Sequence, residues 1–327
     1  MKRQQTLSVV IPVFNEEACL PELLDRTLKA CRGLEVPFEI LLVDDGSRDR
    51  SAGLIAAAAQ AHAGEVIGVF LNRNYGQHAA VLAGFSRANG DFVITLDADL
   101  QNPPEEIPKL YRKLAENFDV VAGVRVPRHD SRFRRISSWL VNRVTARETG
   151  VVMHDYGCML RGYDAQVVKA MLECSERSTF IPVLANAFAT RTAEVEVRHA
   201  ARKAGESKYT LWKLINLQFD LLTGISTFPL RLLSLIGTMV SLFGLGLGAL
   251  IIVLRFIEGP EWAAQGVFTL FAILFIFVGA QFIGMGLMGE YIGRIYRDVR
   301  ARPRYLVSDV IGERRLEPHE SGRSRLP

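Results

Sequence analysis

Residues 91–99, Asp-Phe-Val-Ile-Thr-Leu-Asp-Ala-Asp, join a run of apolar and β-branched side chains to two closely spaced carboxylates. The apolar part predicts a short buried strand that ends at residue 96. Three comparable runs, each also a predicted strand, lie at residues 8–13, 39–43 and 66–71. Helical patterns separate the strands, as at 16–32 and 51–61. Because buried strands alternate with helices, we predict an α/β fold whose sheet is mostly parallel and covered on both faces.

Polar residues follow three of these four predicted strands. They are Asn15 and Glu16, then Asp44 and Asp45, and finally Asp97 and Asp99. The carboxyl ends of parallel strands meet at one edge of a sheet, where α/β proteins bind their ligands. Five carboxylates gathered there would repel one another unless a cation neutralised them, and oxygen ligands suit Mg²⁺ or Mn²⁺. We therefore predict a ligand site with a divalent metal ion at this edge.

The composition excludes several classes of protein. With 49% hydrophobic residues and a net charge of only +4, the chain does not have the composition of a disordered protein. Residues 294–327 carry nine Arg against five acidic residues, and the rest of the chain is balanced. This distribution argues against a nucleic-acid partner and suits anionic membrane lipid. Four scattered cysteines predict neither disulfides nor a zinc site, and therefore a reduced, cytosolic environment.

Two segments, 232–254 and 267–289, contain no charged residue. Each exceeds the roughly 20 residues that cross a membrane as a helix, so we predict two membrane helices. Five Arg residues follow the second segment between 294 and 304. The positive-inside rule then places both termini in the cytoplasm and the short connecting loop outside. The alternative is that both segments are buried core helices.

Two other segments, 131–147 and 208–222, are amphipathic at helical spacing. Basic and apolar side chains alternate in them as in helices that lie in the membrane interface. The alternative is a pair of surface helices packed on the soluble domain, because amphipathicity alone indicates only half-burial. The predicted division of the chain is a catalytic domain at 1–205, interfacial helices at 206–230, two membrane helices within 231–290 and a basic cytoplasmic tail at 291–327.

Several segments resemble known motifs. Residues 8–17, 43–47 and 97–105 resemble the nucleotide-sugar-binding motifs of family 2 glycosyltransferases, which have the GT-A fold. With two C-terminal membrane helices, the chain is similar to the polyprenyl-phosphate branch of that family. Other segments extend the resemblance over nearly the whole chain, as far as about residue 306: 72–78, 155–161, 176–182 and 284–294.

The resemblance implies metal-dependent, inverting transfer of 4-deoxy-4-formamido-L-arabinose from UDP to undecaprenyl phosphate. It also implies a homo-oligomer, a tetramer in relatives, in the bacterial inner membrane, acting in lipid A modification and polymyxin resistance. Transfer of glucose or another hexose to the same lipid is the alternative. A processive polysaccharide synthase would carry a Q-x-x-R-W motif, whereas no Trp of this chain follows an Arg. A nucleotide-sensing membrane adaptor is the non-enzymatic alternative.

The resemblance also implies a set of donor-site residues. Those that match uridine contacts are Pro12, Phe14, Glu16 and Asp44. Asp97 and Asp99 match a D-x-D motif, and Gln101 matches a position that joins the Mg²⁺ or Mn²⁺ shell with Asp99. Arg202 and Lys208 match basic groups that hold the donor phosphates, the alternative being a juxtamembrane contact with anionic lipid.

The acceptor half of the predicted site depends on basic residues. Arg125 matches a phosphate-binding position, and the nearby basic segment that includes Arg134 and Arg135 is predicted to draw in the acceptor phosphate. Asp99 and Asp155 are the residues implied in catalysis. For Asp155 two roles stay open, a general base or a group that orients the acceptor or the sugar.

Overall fold

The computed structural model describes residues 5–126, 155, 157–174, 180–200, 228–258, 267–300 and 302–312. These residues divide into two compact units. The first contains every described residue up to 200 together with 302–312, and the second contains 228–300. The predicted amphipathic segments 131–147 and 208–222 lie outside the described residues. The same holds for four predicted site residues: Arg134, Arg135, Arg202 and Lys208.

The first unit contains an eight-stranded sheet. Its strands are β1 (Leu7–Val13), β2 (Phe38–Asp44), β3 (Val66–Leu71), β4 (Phe92–Thr95), β5 (Val120–Val126), β6 (Arg161–Asp164), β7 (Thr192–Arg198) and β8 (Val307–Ile311). Their order across the sheet is β7-β5-β6-β4-β1-β2-β3-β8. Six strands run parallel, while β6 and β8 run antiparallel to their neighbours. The predicted α/β fold with a mostly parallel sheet is confirmed.

Helices cover the two faces of this sheet. They are α1 (Leu20–Arg32), α2 (Ser51–Ala61), α3 (Gln77–Phe85), α4 (Ile107–Leu114), α5 (Ala165–Glu173) and α6 (Ile181–Phe188). Two clusters of buried apolar side chains result, one against α1, α2 and α4 and the other against α3, α5 and α6. Helix α3 lies so close to β1 that a Cβ on Gly84 would stand 2.3 Å from a methyl carbon of Val10. Because helices bury both faces of the sheet, side chains on both sides of its central strands are apolar, which explains their near-continuous apolar sequences.

Helix α1 begins at Leu20, four residues later than predicted. Asn15 has a positive φ of 55°, which does not continue into a helix. The next two backbone N–H groups are also engaged, since Glu16 donates to the Ser51 hydroxyl and Glu17 to Asp49. Residues 15–17 consequently belong to the loop at the carboxyl end of β1, where the ligand edge lies.

The end of the chain departs from the predicted basic tail. Residues 307–311 form β8, which pairs with β3 and completes the sheet. The apolar side chains of Val307, Val310 and Ile311 pack against the two core clusters. The first unit therefore includes a strand from the far end of the chain, which the predicted catalytic domain at 1–205 lacks.

The second unit consists of two long helices, α7 (Phe228–Glu258) and α8 (Val267–Val299). They contain the candidate membrane spans Leu232–Leu250 and Ile276–Gly293, which are long and apolar enough to cross a membrane. None of the described residues of the two spans is buried within the structure, unlike those of a soluble core helix. A Cβ on Gly244 would lie 2.9 Å from the Phe277 ring, so a small residue permits this contact between the helices.

Candidate active site

The carboxyl ends of β1, β2 and β4 lie side by side. In the central strand β1, Val13 pairs with Asp44 of β2, and Val10 pairs with Thr95 of β4. The backbone N–H of Leu96 donates to the Val10 carbonyl at 3.1 Å, so pairing continues up to the residue before Asp97. The polar residues that follow these three strands therefore leave the sheet at one edge.

Hydrogen bonds join the loop after β1 to the loop after β2. The Asn15 N–H donates to the Ser47 hydroxyl at 3.0 Å, and the Asn15 amide oxygen accepts from the Arg48 N–H at 2.8 Å. Asp44 is buried at the end of β2 and accepts from the Ser47 N–H at 3.2 Å. Phe14, next to this junction, keeps 42% of its surface exposed. The edge thus presents an exposed aromatic ring on the loop after β1 and a buried carboxylate at the end of β2.

Asp45 connects the β2 loop to the loop between β3 and α3. Its two carboxylate oxygens accept from the backbone N–H groups of Tyr75 at 2.7 Å and Gly76 at 2.9 Å. Burial raises the pKa of Asp45 above its ordinary value, although these two N–H groups lower it. Gly46 has a φ of 68°, and a Cβ there would lie 2.5 Å from the Arg73 carbonyl carbon. The two loops therefore pack backbone against backbone.

Gln77 reaches from the start of α3 to the predicted D-x-D motif. Its side-chain amide donates to Asp97 Oδ1 at 2.6 Å. With the Asp45 contacts, the β3–α3 loop joins the acidic residues of β2 to those after β4. Gln77 was not among the site residues predicted from the sequence. The available signal was the polar run from Asn72 to Gln77, which follows the third predicted strand just as polar residues follow the others.

Asp99 and Gln101 form a tight turn after β4. Asp99 Oδ1 accepts from the Gln101 N–H at 3.1 Å, and Leu100 between them has a φ of 60°. The Gln101 carbonyl accepts from the Ala200 N–H at 2.8 Å. The chain beyond β7 is thereby fixed beside the D-x-D turn, two residues before Arg202.

The five predicted carboxylates do not form one cluster. Within the described residues, no group of three or more His, Cys, Asp or Glu side chains is arranged to hold a metal ion. Asp45 is one reason, because its oxygens are turned to Tyr75 and Gly76. Asp97 and Asp99 nevertheless leave the same strand end two residues apart. Proteins usually bind Mg²⁺ through one or two carboxylates, and substrate phosphates supply further oxygen ligands. Asp97 and Asp99 therefore fit a metal ion that binds together with a diphosphate.

Asp155 and Arg125 form a buried ion pair near the end of β5. Arg125 Nε donates to Asp155 Oδ2 at 2.7 Å and Nη2 donates to Oδ1 at 2.9 Å. The carboxylate is fully buried, while 24% of the Arg125 side chain is exposed. Asp155 Oδ1 also accepts from the Gly157 N–H at 3.1 Å. Both Asp155 oxygens accept from Arg125, so the carboxylate fixes the orientation of the Arg125 guanidinium.

Arg161 holds the backbone on which Asp155 stands. Its guanidinium is fully buried and donates to the carbonyls of Asp155 at 2.6 Å and Cys158 at 2.9 Å. Cys158 is buried as well, and burial raises the pKa of its thiol to about 11. The thiol therefore stays protonated at neutral pH and serves packing rather than nucleophilic chemistry.

We predict that Gln77→Ala raises the donor KM about five- to tenfold with a smaller change in kcat, because a hydrogen bond to a charged group is lost. Gln77→Glu is expected to have a larger effect, since it places a second negative charge against Asp97. Steady-state kinetics with varied donor measure both effects. The control is Gln60→Ala on the exposed end of α2. Equal donor KM values for Gln77→Ala and the wild type would contradict a role for Gln77.

His78 gives a prediction for pH dependence. Its ring packs edge-on against Phe180 with centroids 5.3 Å apart, and burial lowers its pKa from 6.5 to about 4. The unfolded chain therefore binds a proton below pH 6.5 that the folded chain does not, and stability falls as the pH drops from about 6.5 to about 4. Thermal unfolding of His78→Phe is expected to fall less steeply over that range than that of the wild type. Parallel curves for the two proteins would show that His78 does not contribute.

The chain is a glycosyltransferase with the GT-A fold, as its mostly parallel sheet and its family match show. Residues 8–172 match the profile of glycosyl transferase family 2, and the chain belongs to this family. The matched region begins in β1 and ends in α5, so it includes the D-x-D turn and the Arg125–Asp155 pair.

Two relatives and a solved structure are similar to the chain. It is 61% identical over 307 residues to the undecaprenyl-phosphate 4-deoxy-4-formamido-L-arabinose transferase of Serratia proteamaculans, covering 94% of each protein. It is 58% identical over 314 residues to the protein of that name from Yersinia enterocolitica, covering 96% of each. A crystal structure of glucosyl-3-phosphoglycerate synthase from Mycobacterium tuberculosis with Mn²⁺, UDP-glucose and phosphoglyceric acid shows 19% identity and a TM-score of 0.48, over 68% of this chain and 78% of that one.

Proposed function

We propose that the protein transfers 4-deoxy-4-formamido-L-arabinose from UDP to undecaprenyl phosphate with inversion at the anomeric carbon. Relatives named for this reaction are 57–61% identical over 94–96% of the chain. The structural observation that carries the proposal is the edge at which Asp44 ends β2 and Asp97 and Asp99 follow β4, the two strands that flank β1. Such an edge suits a nucleotide sugar, whose base, ribose and diphosphate each need a separate contact.

The donor would lie across the loops after β1, β2 and β4. Phe14 offers an exposed ring face for the uracil, beside Pro12 and Glu16, and Asp44 offers an acceptor for a base or ribose donor. Arg202 and Lys208 would hold the diphosphate. Support for the Arg202 position comes from the Ala200–Gln101 hydrogen bond, which brings the preceding backbone to the D-x-D turn.

A Mg²⁺ or Mn²⁺ ion would be held by Asp99 and Gln101 together with the donor phosphates. When bound, such an ion stabilises negative charge on the departing diphosphate. Asp97, held by Gln77 through one oxygen, is proposed to bind the sugar or its phosphate. The chain's own contribution is to fix these groups before the reaction, so that little reorganisation is needed in the transition state.

The acceptor side uses basic residues. A phosphate monoester is largely ionised at neutral pH, so its oxygen can attack the anomeric carbon while the bond to UDP breaks, and no strong base is required. Arg125, with Arg134 and Arg135, is proposed to bind the acceptor phosphate. Asp155 would orient the Arg125 guanidinium through their paired hydrogen bonds.

The acceptor lipid requires an enzyme at the membrane. Helices α7 and α8 are proposed to span the bacterial inner membrane, with the catalytic domain and both termini in the cytoplasm. The amphipathic segments 131–147 and 208–222 would contact anionic lipid. The protein would act as a homo-oligomer, and a tetramer is the proposed state. The biological role proposed is lipid A modification and, through it, polymyxin resistance.

The test is a transfer assay with purified protein in lipid nanodiscs, undecaprenyl phosphate and Mg²⁺. Equal concentrations of labelled UDP-4-deoxy-4-formamido-L-arabinose and UDP-glucose are supplied in separate reactions, and lipid products are separated by thin-layer chromatography. We expect a lipid-linked product from the arabinose donor. A product from UDP-glucose alone would reassign the donor, and donor binding without any product would favour a sensing adaptor.

A further inference from the structure

The segment around strand β8 is held by side-chain hydrogen bonds in addition to its backbone pairing at the edge of the sheet. Its backbone pairs antiparallel with β3, and the Ser308 hydroxyl also donates to the Phe70 carbonyl at 3.0 Å. Just before β8, the Tyr305 hydroxyl donates to the Leu82 carbonyl at 3.4 Å, and Arg304 donates to the Cys174 carbonyl. The segment is therefore anchored to the sheet and to the helical layer beside it.

A glycine ends this segment. Gly312 has a φ of 85°, and a Cβ there would lie 2.6 Å from the Val66 carbonyl oxygen. Both the conformation and the close approach require glycine. The chain thus follows β3 along its whole length, from Val66 beside Gly312 to Leu71 opposite Val307.

The contact between β8 and the sheet extends into the site. The Leu306 carbonyl accepts from the backbone N–H of Asn72, the first residue after β3, at 3.1 Å. The Asn72 side chain in turn accepts from the Tyr75 hydroxyl at 2.8 Å. Tyr75 and Gly76 donate to Asp45, and Gln77 donates to Asp97. A continuous series of hydrogen bonds therefore joins the C-terminal segment to the carboxylates of the edge site.

We infer that the segment 303–312 is a positioning element for the donor site, which acts by fixing the loop 72–77. This inference rests on the proposed function, because it gives that loop a task in donor binding. Without β8, the outer backbone groups of β3 and the Asn72 N–H lose their hydrogen-bond partners. Strand β3 then becomes an unpaired edge strand, and such a strand and the loop after it open more readily. The loop that holds Asp45 and Asp97 would then spend less time in its binding arrangement, and the donor KM would rise.

The test compares two truncations of the full-length protein. One ends after Arg302 and removes β8, and its matched control ends after Gly312 and keeps β8 while losing the remaining residues. We expect the first truncation to raise the donor KM about tenfold with little change in acceptor KM, and the control to match the wild type. Hydrogen exchange at residues 72–77 should be faster in the first truncation alone. An unchanged donor KM, or unchanged exchange at 72–77, in a folded truncated protein would overturn the inference.

Two further measurements keep the inference testable if the truncated protein does not fold. Tyr75→Phe leaves β8 intact and removes only the hydroxyl that reaches Asn72, so we expect a donor KM about threefold above the wild type. Gly312→Val in the full chain should loosen β8 and accelerate exchange at 72–77. Exchange and KM both unchanged in these variants would again overturn the inference. If the wild type transfers no sugar, the proposed function fails, and exchange at 72–77 still decides whether β8 fixes the loop.

Discussion

Asp99→Asn is expected to reduce kcat for sugar transfer about a thousandfold, while the melting temperature stays close to that of the wild type. The reason is that the amide keeps the shape of the turn, in which one side-chain oxygen accepts from the Gln101 N–H, but removes the negative charge proposed to hold the metal. The measurement is the transfer assay at saturating donor and Mg²⁺, with thermal unfolding followed on the same sample.

The matched control for this variant is Asp25→Asn, which makes the same chemical change at an exposed position on α1. It should retain wild-type turnover. EDTA should abolish turnover of the wild type, and added Mg²⁺ or Mn²⁺ should restore it. Full activity of Asp99→Asn, or wild-type turnover in EDTA, would rule out the proposed metal site.

Arg125→Met is expected to lower the free energy of unfolding by about 3–5 kcal/mol, because it removes the guanidinium that donates two hydrogen bonds to the buried Asp155 carboxylate. Transfer should fall as well, since Arg125 is proposed to bind the acceptor phosphate. The double variant Arg125→Met/Asp155→Leu removes both charges and should recover most of the stability but none of the activity. Thermal unfolding and acceptor kinetics are measured on the wild type, the single variant and the double variant. Together they separate the loss of stability from the loss of acceptor binding.

Asp155→Asn separates the two open roles of Asp155. If the carboxylate only orients Arg125, the asparagine variant keeps one acceptor oxygen, and the pH dependence of kcat should keep the wild-type shape at a lower level. Loss of the acidic limb of the pH profile in this variant would instead assign Asp155 as a general base.

The sequence predicted those parts of the fold that depend on local pattern. The strand at 66–71 and the helix at 51–61 have the predicted bounds, because apolar runs and helix-forming residues fix them locally. The start of α1 was predicted too early, because residues 15 and 16 are held by contacts distant in sequence: the Asn15 N–H donates to Ser47 and the Glu16 N–H to Ser51 at the start of α2. Strand β8 was missed because its partner strand lies more than two hundred residues earlier in the chain.

In the site, too, the features that the sequence did not predict depend on contacts between residues distant in the chain. Asp44 and Asp45 are the same residue type in adjacent positions, and only the contacts with Tyr75 and Gly76 show that Asp45 joins two loops. Gln77 was missed because an amide in a polar run carries no chemical signal of its own until Asp97 is found 2.6 Å away. The pairing of Arg125 with Asp155 likewise depends on three-dimensional proximity, although each residue was assigned to the site separately.

The most direct test of the proposed chemistry is a cryo-EM map of the full-length protein in nanodiscs with UDP and Mn²⁺. It should show the uracil against Phe14, the ion in contact with Asp99, and the diphosphate between that ion and the basic residues of the site. A nucleotide bound away from the edge formed by β1, β2 and β4, or an ion without contact to Asp99, would contradict the proposal.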